Sequence, residues 1–524
     1  MSGNVAPVAD PALAPVTSWA PAAPAAPVLE RVMGRWDTVL FLVSAIVAVD
    51  TIGAIAVGGV QAFGWMVVLA VTFFVPAALA TAELGTALPA EGGPYVWVRT
   101  AFGQHAGALT GFFYWAATPI WVGGSVSAVA LVAVDRLVVP LSLPVELGVG
   151  LAFVAACTAA SLLPLRVGKW VPTSGALAQV GLLALFTATV VAYGARHGWH
   201  AVHAGDLRPT SAVFVTVVPV LLYSFVGVEL PTSAGEELRD PVRDVPAAIL
   251  RAGIAQAVMY GVPMAAVLLA LPADRITSVR GLVDAIATTF TVYGGSVEVD
   301  GAVHLTGSGA LMAGGAGIAV VWILLTSAVS WTMGTSRTQA AACRDGSGPA
   351  WFGVLSPRSG VPTRIVLLTG LLSGTALVLG LVATHGDGVR FFTIGLTGAV
   401  SFALLSFLAV FGSVVRLRRS APALDRPFRV PGGRLGATLA GGLPTVWVVV
   451  GLVCLLWPGL GTADPDAYLP AGFAGDRTAF EFLALAPVVA ALAAYAIASL
   501  TGVLAGDGWV RRPRIAARHR RSAA

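Results

Sequence analysis

The sequence predicts an all-α polytopic membrane protein with about twelve transmembrane helices. Three observations carry that expectation. Of 524 residues, 57% are hydrophobic and only 11% are charged, where soluble domains carry roughly a quarter charged; mean hydropathy is +0.84. Apolar runs of roughly 20 residues, the length a helix needs to cross a bilayer, recur from Asp37 to Leu504. Those runs lack the period-2 alternation of a transmembrane barrel. Lipid is therefore the solvent for most of this surface.

In chain order the spans are placed at about 37–61, 64–88, 104–134, 145–164, 171–194, 210–234, 246–271, 308–340, 363–384, 390–415, 436–458 and 482–505. Before them, residues 1–35 read as a disordered cytoplasmic tail rich in Ala and Pro. Its prolines interrupt the apolar core that a signal peptide requires. After them, 506–524 form a basic tail. With the N-terminus inside, 24 of the 31 Arg and Lys fall on cytoplasmic segments, six of them in 416–434 and six in 511–521. The positive-inside rule then puts both termini in the cytoplasm of a multi-pass protein of the cytoplasmic membrane. Cys157, Cys343 and Cys454 have no metal-ligand spacing and read as free thiols.

The first span raises a chemical question. In SAIVAVDTIGAIAVGG (44–59) a carboxylate, Asp50, sits mid-membrane and is followed by Gly53, Gly58 and Gly59. A charge at that depth costs roughly 2.5–3.5 kcal/mol on insertion scales, so it needs a partner, water or a substrate. Glycines loosen the helix, and 50–54 (DTIGA) are expected to be unwound. The sixth span, VPVLLYSFVGVELPTSAGEEL (218–238), repeats the pattern with Gly227, Glu229 and Pro231, so a break is expected at 226–230. Spans one and six would open two five-helix halves, and an odd number of spans inverts the second half. Paired broken helices in inverted halves point to a transporter's mid-membrane site. Half-helix N-termini there suit a carboxylate. Carbonyls with Asp50 or Glu229 suit an ammonium group or a proton, so the ligand is expected to be an amino acid or a small amine.

Four motifs in order carry a family resemblance: TAELGTALPAEGGPYVWVRTAFG (81–103), SFVGVE (224–229), SRTQAAACRDGSGP (336–349) and RPFRVPGG (426–433). They resemble the amino acid–polyamine–organocation permeases over roughly residues 35–505. The resemblance implies a transporter domain at 36–505: repeat one at about 37–194, repeat two at about 210–415, and two extra helices at about 436–505. It also implies alternating-access transport. On it, Tyr223 stands at an aromatic gate, with Phe225, Val226 and Gly227 beside it at the break, Glu229 at a proton-sensitive acid, and Trp331 beside the substrate. Tyr114 and Thr118 face it from helix three. Asp50, Thr51, Ile52, Gly53 and Ala54 align with the helix-one break. Many relatives have Gly-Ser-Gly where this chain has Gly53-Ala54-Ile55. Gln179 stands where several relatives place a lysine in helix five, while Lys169 lies at the start of that helix.

Other polar residues read as structural. Glu83 lies near the cytoplasmic end of helix two. Glu236, Glu237, Arg239, Asp240, Arg243 and Asp244 form a charged loop, a solvated face or an inner latch. His197, His200 and His203 have irregular spacing without a carboxylate cluster, and no metal or other cofactor is expected. Leu282, Ile286 and Phe290, within 276–297, predict an amphipathic helix across the outer entrance. The expected partners are a small-molecule substrate, membrane lipid and a co-transported proton or sodium, with no nucleic acid. The expected function is a permease or exchanger of amino acids or small amines, against a polyamine or other cationic-amine carrier. A non-transporting nutrient sensor is a lesser rival. No nucleophile elbow, metal cluster or phosphate loop argues for an enzyme.

Overall fold

The computed structural model describes residues 31–500 apart from 48, 57, 200–202, 204, 209, 271–280, 299–301 and 471. Both tails therefore lie outside the described residues. The chain begins with two short helices, α1 (Arg35–Ile46) and α2 (Val49–Ala56), bent by 41° to each other. Together they are long and apolar enough to make one span. Ten unbroken helices pass the same test: α3 (Gly59–Ala87), α5 (Gln104–Leu137), α6 (Leu143–Ser161), α7 (Leu165–His197), α9 (Val242–Ala270), α11 (Gly307–Arg344), α12 (Thr363–Ala383), α13 (Gly388–Ser420), α14 (Gly433–Leu456) and α15 (Arg477–Ile497). Three helices are shorter: α4 (Pro94–Phe102), α8 (Ser211–Ser224) and α10 (Gly281–Phe290).

The expected sixth span is thus represented by α8 and, after an interruption, a tight 3₁₀ run at Leu230–Glu237. An antiparallel hairpin, β1 (Gly295–Val297) and β2 (Val303–Leu305), pairs Ser296 with His304. The amphipathic helix expected at 276–297 is α10 plus part of this hairpin; 276–280 lie outside the described residues. Its burial differs from the expectation. Leu282, Ile286 and Phe290 are buried, but so are Val283, Ala285, Thr288 and Thr289. Protein covers both faces of α10, and a Cβ on Gly281 would stand 2.7 Å from the Gly53 Cα of α2.

The molecule is apolar outside and holds much of its polar chemistry inside, as a lipid solvent demands. Leu311, Leu371, Val382, Phe482 and Val489 are exposed, whereas Asp50, Thr118, Ser125, Gln179 and Glu229 are buried. Small residues set the closest crossings. A Cβ on Gly124 of α5 would lie 2.6 Å from the Gly395 Cα of α13, and one on Gly175 of α7 would lie 1.9 Å from Thr326 Oγ1 of α11.

One face of the bundle gathers the arginines. There Glu83 of α3 joins two segments of the chain. It accepts from Arg418 Nε at 2.8 Å and from the Val430 N–H at 2.8 Å, and its carboxylate lies 3.5 Å from Arg426 Nε. Arg99 pairs with Asp345, and Arg344 with Glu91. The structural reading of Glu83 therefore agrees with its contacts, which are to Arg418 at the end of α13 and to Arg426 and Val430 in the loop that follows. Replacing Glu83 with Ala leaves two guanidinium groups and an N–H without their acceptor. The expected cost is about 3–5 kcal/mol, read as a lowered unfolding midpoint in detergent; an unchanged midpoint would overturn the assignment.

Candidate functional site

A broken helix in a membrane exposes backbone groups that no water will satisfy. At the first break the orphan carbonyls are met by side chains from the surrounding helices. Trp331 Nε1 of α11 donates to Ala45 O at 3.0 Å, and Gln179 Nε2 of α7 donates to Val47 O. Ser330 Oγ reaches Ser44 Oγ at 3.3 Å. α1 ends at Ile46 and α2 begins at Val49, so DTIGA is not unwound: 50–54 lie inside α2. The expectation was wrong by one turn because a glycine permits a break but does not cause one. The Gly53 backbone is instead where Gly281 of α10 makes its close approach. The Gly53-Ala54-Ile55 amides are accordingly helical.

The second break falls where expected. α8 ends at Ser224, and Gly227 adopts φ +118°, a conformation that favours glycine. Gln256 Nε2 of α9 caps the Ser224 carbonyl at 2.5 Å, and Ser224 Oγ donates to Thr51 Oγ1 at 3.1 Å. Thr51 Oγ1 and Tyr260 Oη lie 3.1 Å apart, so one polar chain ties α2 to α8 and α9. Glu229 closes the break on itself. Its Oε2 accepts the Gly227 N–H at 3.1 Å, and its Oε1 accepts the Tyr114 hydroxyl at 3.0 Å. Both of its oxygens are thus engaged.

Asp50 is different. Its Oδ2 accepts from Trp121 Nε1 at 2.9 Å and from Ser125 Oγ at 3.3 Å. Those donors are four residues apart on α5, where Val122–Val126 widens into a π turn. Such turns recur at functional sites. The other oxygen, Oδ1, is buried without a hydrogen-bond partner, in a side chain only 2% exposed. A half-satisfied carboxylate in the membrane interior is a strong acceptor held ready for a cation or a proton.

Past the Trp121 ring that bonds Asp50 lies a cavity of about 10 Å³, room for about one water, which Asp50 itself does not line. Its walls are Tyr114, Ala117, Thr118 and Trp121 of α5, Tyr223 and Val226 at the second break, Trp331 of α11, and Ala403 and Phe407 of α13. The Trp121 and Trp331 rings meet edge to face with centroids 6.2 Å apart. Five residues singled out from the sequence, Tyr114, Thr118, Tyr223, Val226 and Trp331, therefore come together here. Others do not. Phe225 packs on Phe74 of α3 at 5.4 Å, Ile52 joins the hydrophobic core, and Ala54 faces a separate cavity. Ala117, Trp121, Ala403 and Phe407 were missed. Trp121 had a signal, lying three residues after Thr118 and seven after Tyr114 on one helical face; Ala403 and Phe407 had none.

On the arginine-rich side the two broken helices are tied together and to their neighbours. Residue 33 bridges Leu238 through Met33 N to Glu237 O at 3.2 Å and Arg239 N to Met33 O at 3.1 Å. Asp37 pairs with Lys169 of α7 at 2.8 Å, and Glu237 with the buried Arg337 of α11 at 2.8 Å. Asp244 pairs with Arg35 at 3.4 Å. Two of the carboxylates in the charged loop, Glu237 and Asp244, are thus engaged in ion pairs with neighbouring helices. His197 stacks on Tyr193 and His203 lies 3.6 Å from Asp206, while His200 falls outside the described residues.

The strut role of Glu229 is testable by paired variants. Glu229→Ala strands the Gly227 N–H and the Tyr114 hydroxyl, at about 1–3 kcal/mol for each unsatisfied group. Glu229→Gln keeps a carbonyl acceptor for Gly227 and is expected to cost markedly less. Equal losses in thermal unfolding would remove the strut role.

Comparison with known proteins agrees with this arrangement. Residues 33–474 match the family model described as amino acid permease. A probable agmatine/putrescine antiporter of Lactococcus lactis, AguD, is 25% identical over 431 residues, covering 80% of this chain and 86% of that protein. An uncharacterized transporter of Legionella pneumophila is 26% identical, covering 81% and 89%. The branched-chain amino acid permease BcaP of Bacillus subtilis is 22% identical, covering 77% and 84%. With a family match along most of its length and a bundle of membrane-spanning helices around two interrupted ones, the chain belongs to the amino acid permease family, whose members are multi-pass transporters and not enzymes.

Proposed function

We propose that this protein is a secondary active transporter of amino acids or related small amines, working as an exchanger by alternating access in the cytoplasmic membrane with both termini inside. The observation that carries the reading is Asp50: a buried carboxylate with one free oxygen, bonded through the other to the Trp121 wall of an aromatic cavity between two helix breaks. The ammonium group common to amino acids and amines is the complement of that oxygen. The five-plus-five inverted repeat, with helices one and six broken, is the architecture that suits this placement.

The remaining site assignments follow from position. Tyr223 and Trp331 line the central cavity as aromatic walls, Tyr114 and Thr118 face it from α5, and Val226 with Gly227 supplies backbone at the second break. Thr51 couples the two broken helices. Asp50, with its free oxygen, is better placed than Glu229 to take up a coupling proton. The ion pairs on the arginine-rich face act as the inner closure, opened when substrate leaves. A polyamine or other cationic-amine carrier is the second reading, favoured by the acid itself and by the name of the Lactococcus relative.

Purified protein in proteoliposomes should take up amino acids or amines, faster when the lumen is preloaded with substrate. Asp50→Asn removes a charge-assisted bond of about 1.5–3 kcal/mol, equivalent to a loss of roughly 10- to 100-fold in apparent affinity. Parent-like affinity in that variant would refute the ligand role of Asp50. Absence of uptake for every amino acid and amine class would refute the transport reading.

A further inference from the structure

Resting on that reading, the surroundings of Asp50 narrow the substrate class. A second cavity, of about 230 Å³, lies between α2, α8, α13, α14 and the loop before α15. Two helices, α8 and α13, line both cavities, and α2 adds Ala54 to the larger one, a turn after Asp50, which itself lines neither. Val220 precedes Tyr223 by three residues on α8, and Val400 precedes Ala403 by three on α13. Because α8 and α13 each place the larger cavity on the N-terminal side of the central one, the two are offset along the same direction. At 1.5 Å per residue the offset is about 5 Å. That is within the length of a short alkyl or arylalkyl chain.

The linings differ in kind. Near Asp50 stand rings able to flank a cation, with Trp121 and Trp331 at 6.2 Å. The larger cavity is walled by apolar side chains, threonines, Cys454 and Tyr468; among the described residues lining either cavity there is no charged side chain or His, and Asp50 is bonded to the Trp121 that walls the central one. A substrate carboxylate would therefore find no cationic partner. The helix-one amides at 53–55 are committed to α2 and do not serve it. Nor is a second acid available for a second ammonium group, because both Glu229 oxygens already accept bonds. The cavity is also below the roughly 300–1,000 Å³ typical of pockets for drug-sized ligands.

We propose that the substrate is a small primary monoamine with an apolar body and no carboxylate, its ammonium group on the free Asp50 oxygen and its body directed into the apolar cavity one helical turn away. Burial of that body supplies affinity, and the acid supplies selection for a single positive charge.

Three probes of matched structure test this on the purified wild-type protein. Phenethylamine and phenylalanine share a body and differ by a carboxylate; 1,4-diaminobutane carries a second ammonium group in place of the ring. Binding is measured by thermal shift and by competition against uptake. Phenethylamine is expected to act at a concentration at least about tenfold lower than either of the others, because each of them brings an unpaired charge into the cavity. It is also expected to slow labelling of Cys454 by a small methanethiosulfonate reagent. Cys454 lines the cavity and is partly exposed, whereas Cys157 and Cys343 are buried. Cys454→Ser should abolish the protected labelling. Phenylalanine or the diamine binding as tightly as phenethylamine would overturn the monoamine assignment and leave the transport reading standing. Phenethylamine binding without Cys454 protection would overturn the placement of its body. Failure of all three probes to bind would overturn the assignment too; the transport reading falls only if uptake of every amino acid and amine class is also absent.

Discussion

The constraint on which this structure depends is that a helix interrupted within a membrane must find a partner for every backbone group it releases, because hydrocarbon offers none. Here the partners are side chains of intact neighbouring helices and, at the second break, a carboxylate of the broken segment itself. Gln179 of α7 and Trp331 of α11 meet the carbonyls of the first break; Gln256 of α9 and the carboxylate of Glu229 meet the second. Each break is consequently fixed in position by helices that do not themselves break. Trp331 shows how closely fold and site are joined, since the ring that caps Ala45 also walls the central cavity. Any movement of α1 away from α11 must give up that bond.

Against this background of satisfied groups, the free oxygen of Asp50 stands out. Glu229, equally buried, has a donor on each oxygen, whereas Asp50 has two donors on one oxygen and none on the other. The widened turn of α5 aims Trp121 and Ser125 at that single atom. A carboxylate oriented in this way keeps a fixed direction while one lone-pair set stays available. On the proposed reading, an arriving ammonium group completes the hydrogen bonding and neutralises the charge in the same step. The ordered state of the acid then means that little reorganisation opposes binding.

The membrane-spanning bundle was legible in the sequence because composition alone forces it: long apolar runs have no other stable home. The second break was also legible, since Gly227, Glu229 and Pro231 each weaken the helix within five residues. The first was displaced by a turn. Gly53 suggested unwinding, but it lies within α2, close against Gly281 of α10, and Ala, Ile and Thr around it are compatible with helix. The capping roles of Gln179, Gln256 and Trp331 depend on which helices become neighbours, and that information is not local. Ala403 and Phe407 were illegible for a related reason. A membrane protein buries many small and aromatic residues, and nothing in the run around 400 distinguishes the face that meets α5 and α11. The charged loop after the sixth span was legible as charged, yet only the fold separates Glu237, matched with a buried guanidinium, from Asp240, which is exposed to solvent.

That separation bears on how the arginine-rich face is held shut. Arg35 is about half exposed, so water and salt weaken its bond to Asp244, and such pairs contribute little. Arg337 and Glu237 are 2% and 7% exposed. Separating them while both remain buried would leave two uncompensated charges, at several kcal/mol. Opening is therefore feasible only if it hydrates both partners as it parts them, which a water-filled pathway along α11 would do. On the proposed reading, the pair holds while it is dry and parts once water reaches it, which gives an inner closure few stable positions in between. Thr335 and Thr338, on the same stretch of α11, bond to Thr118 and Ser233. They extend the seam toward the central cavity, so the polar face needed to receive water is already present when the seam is closed.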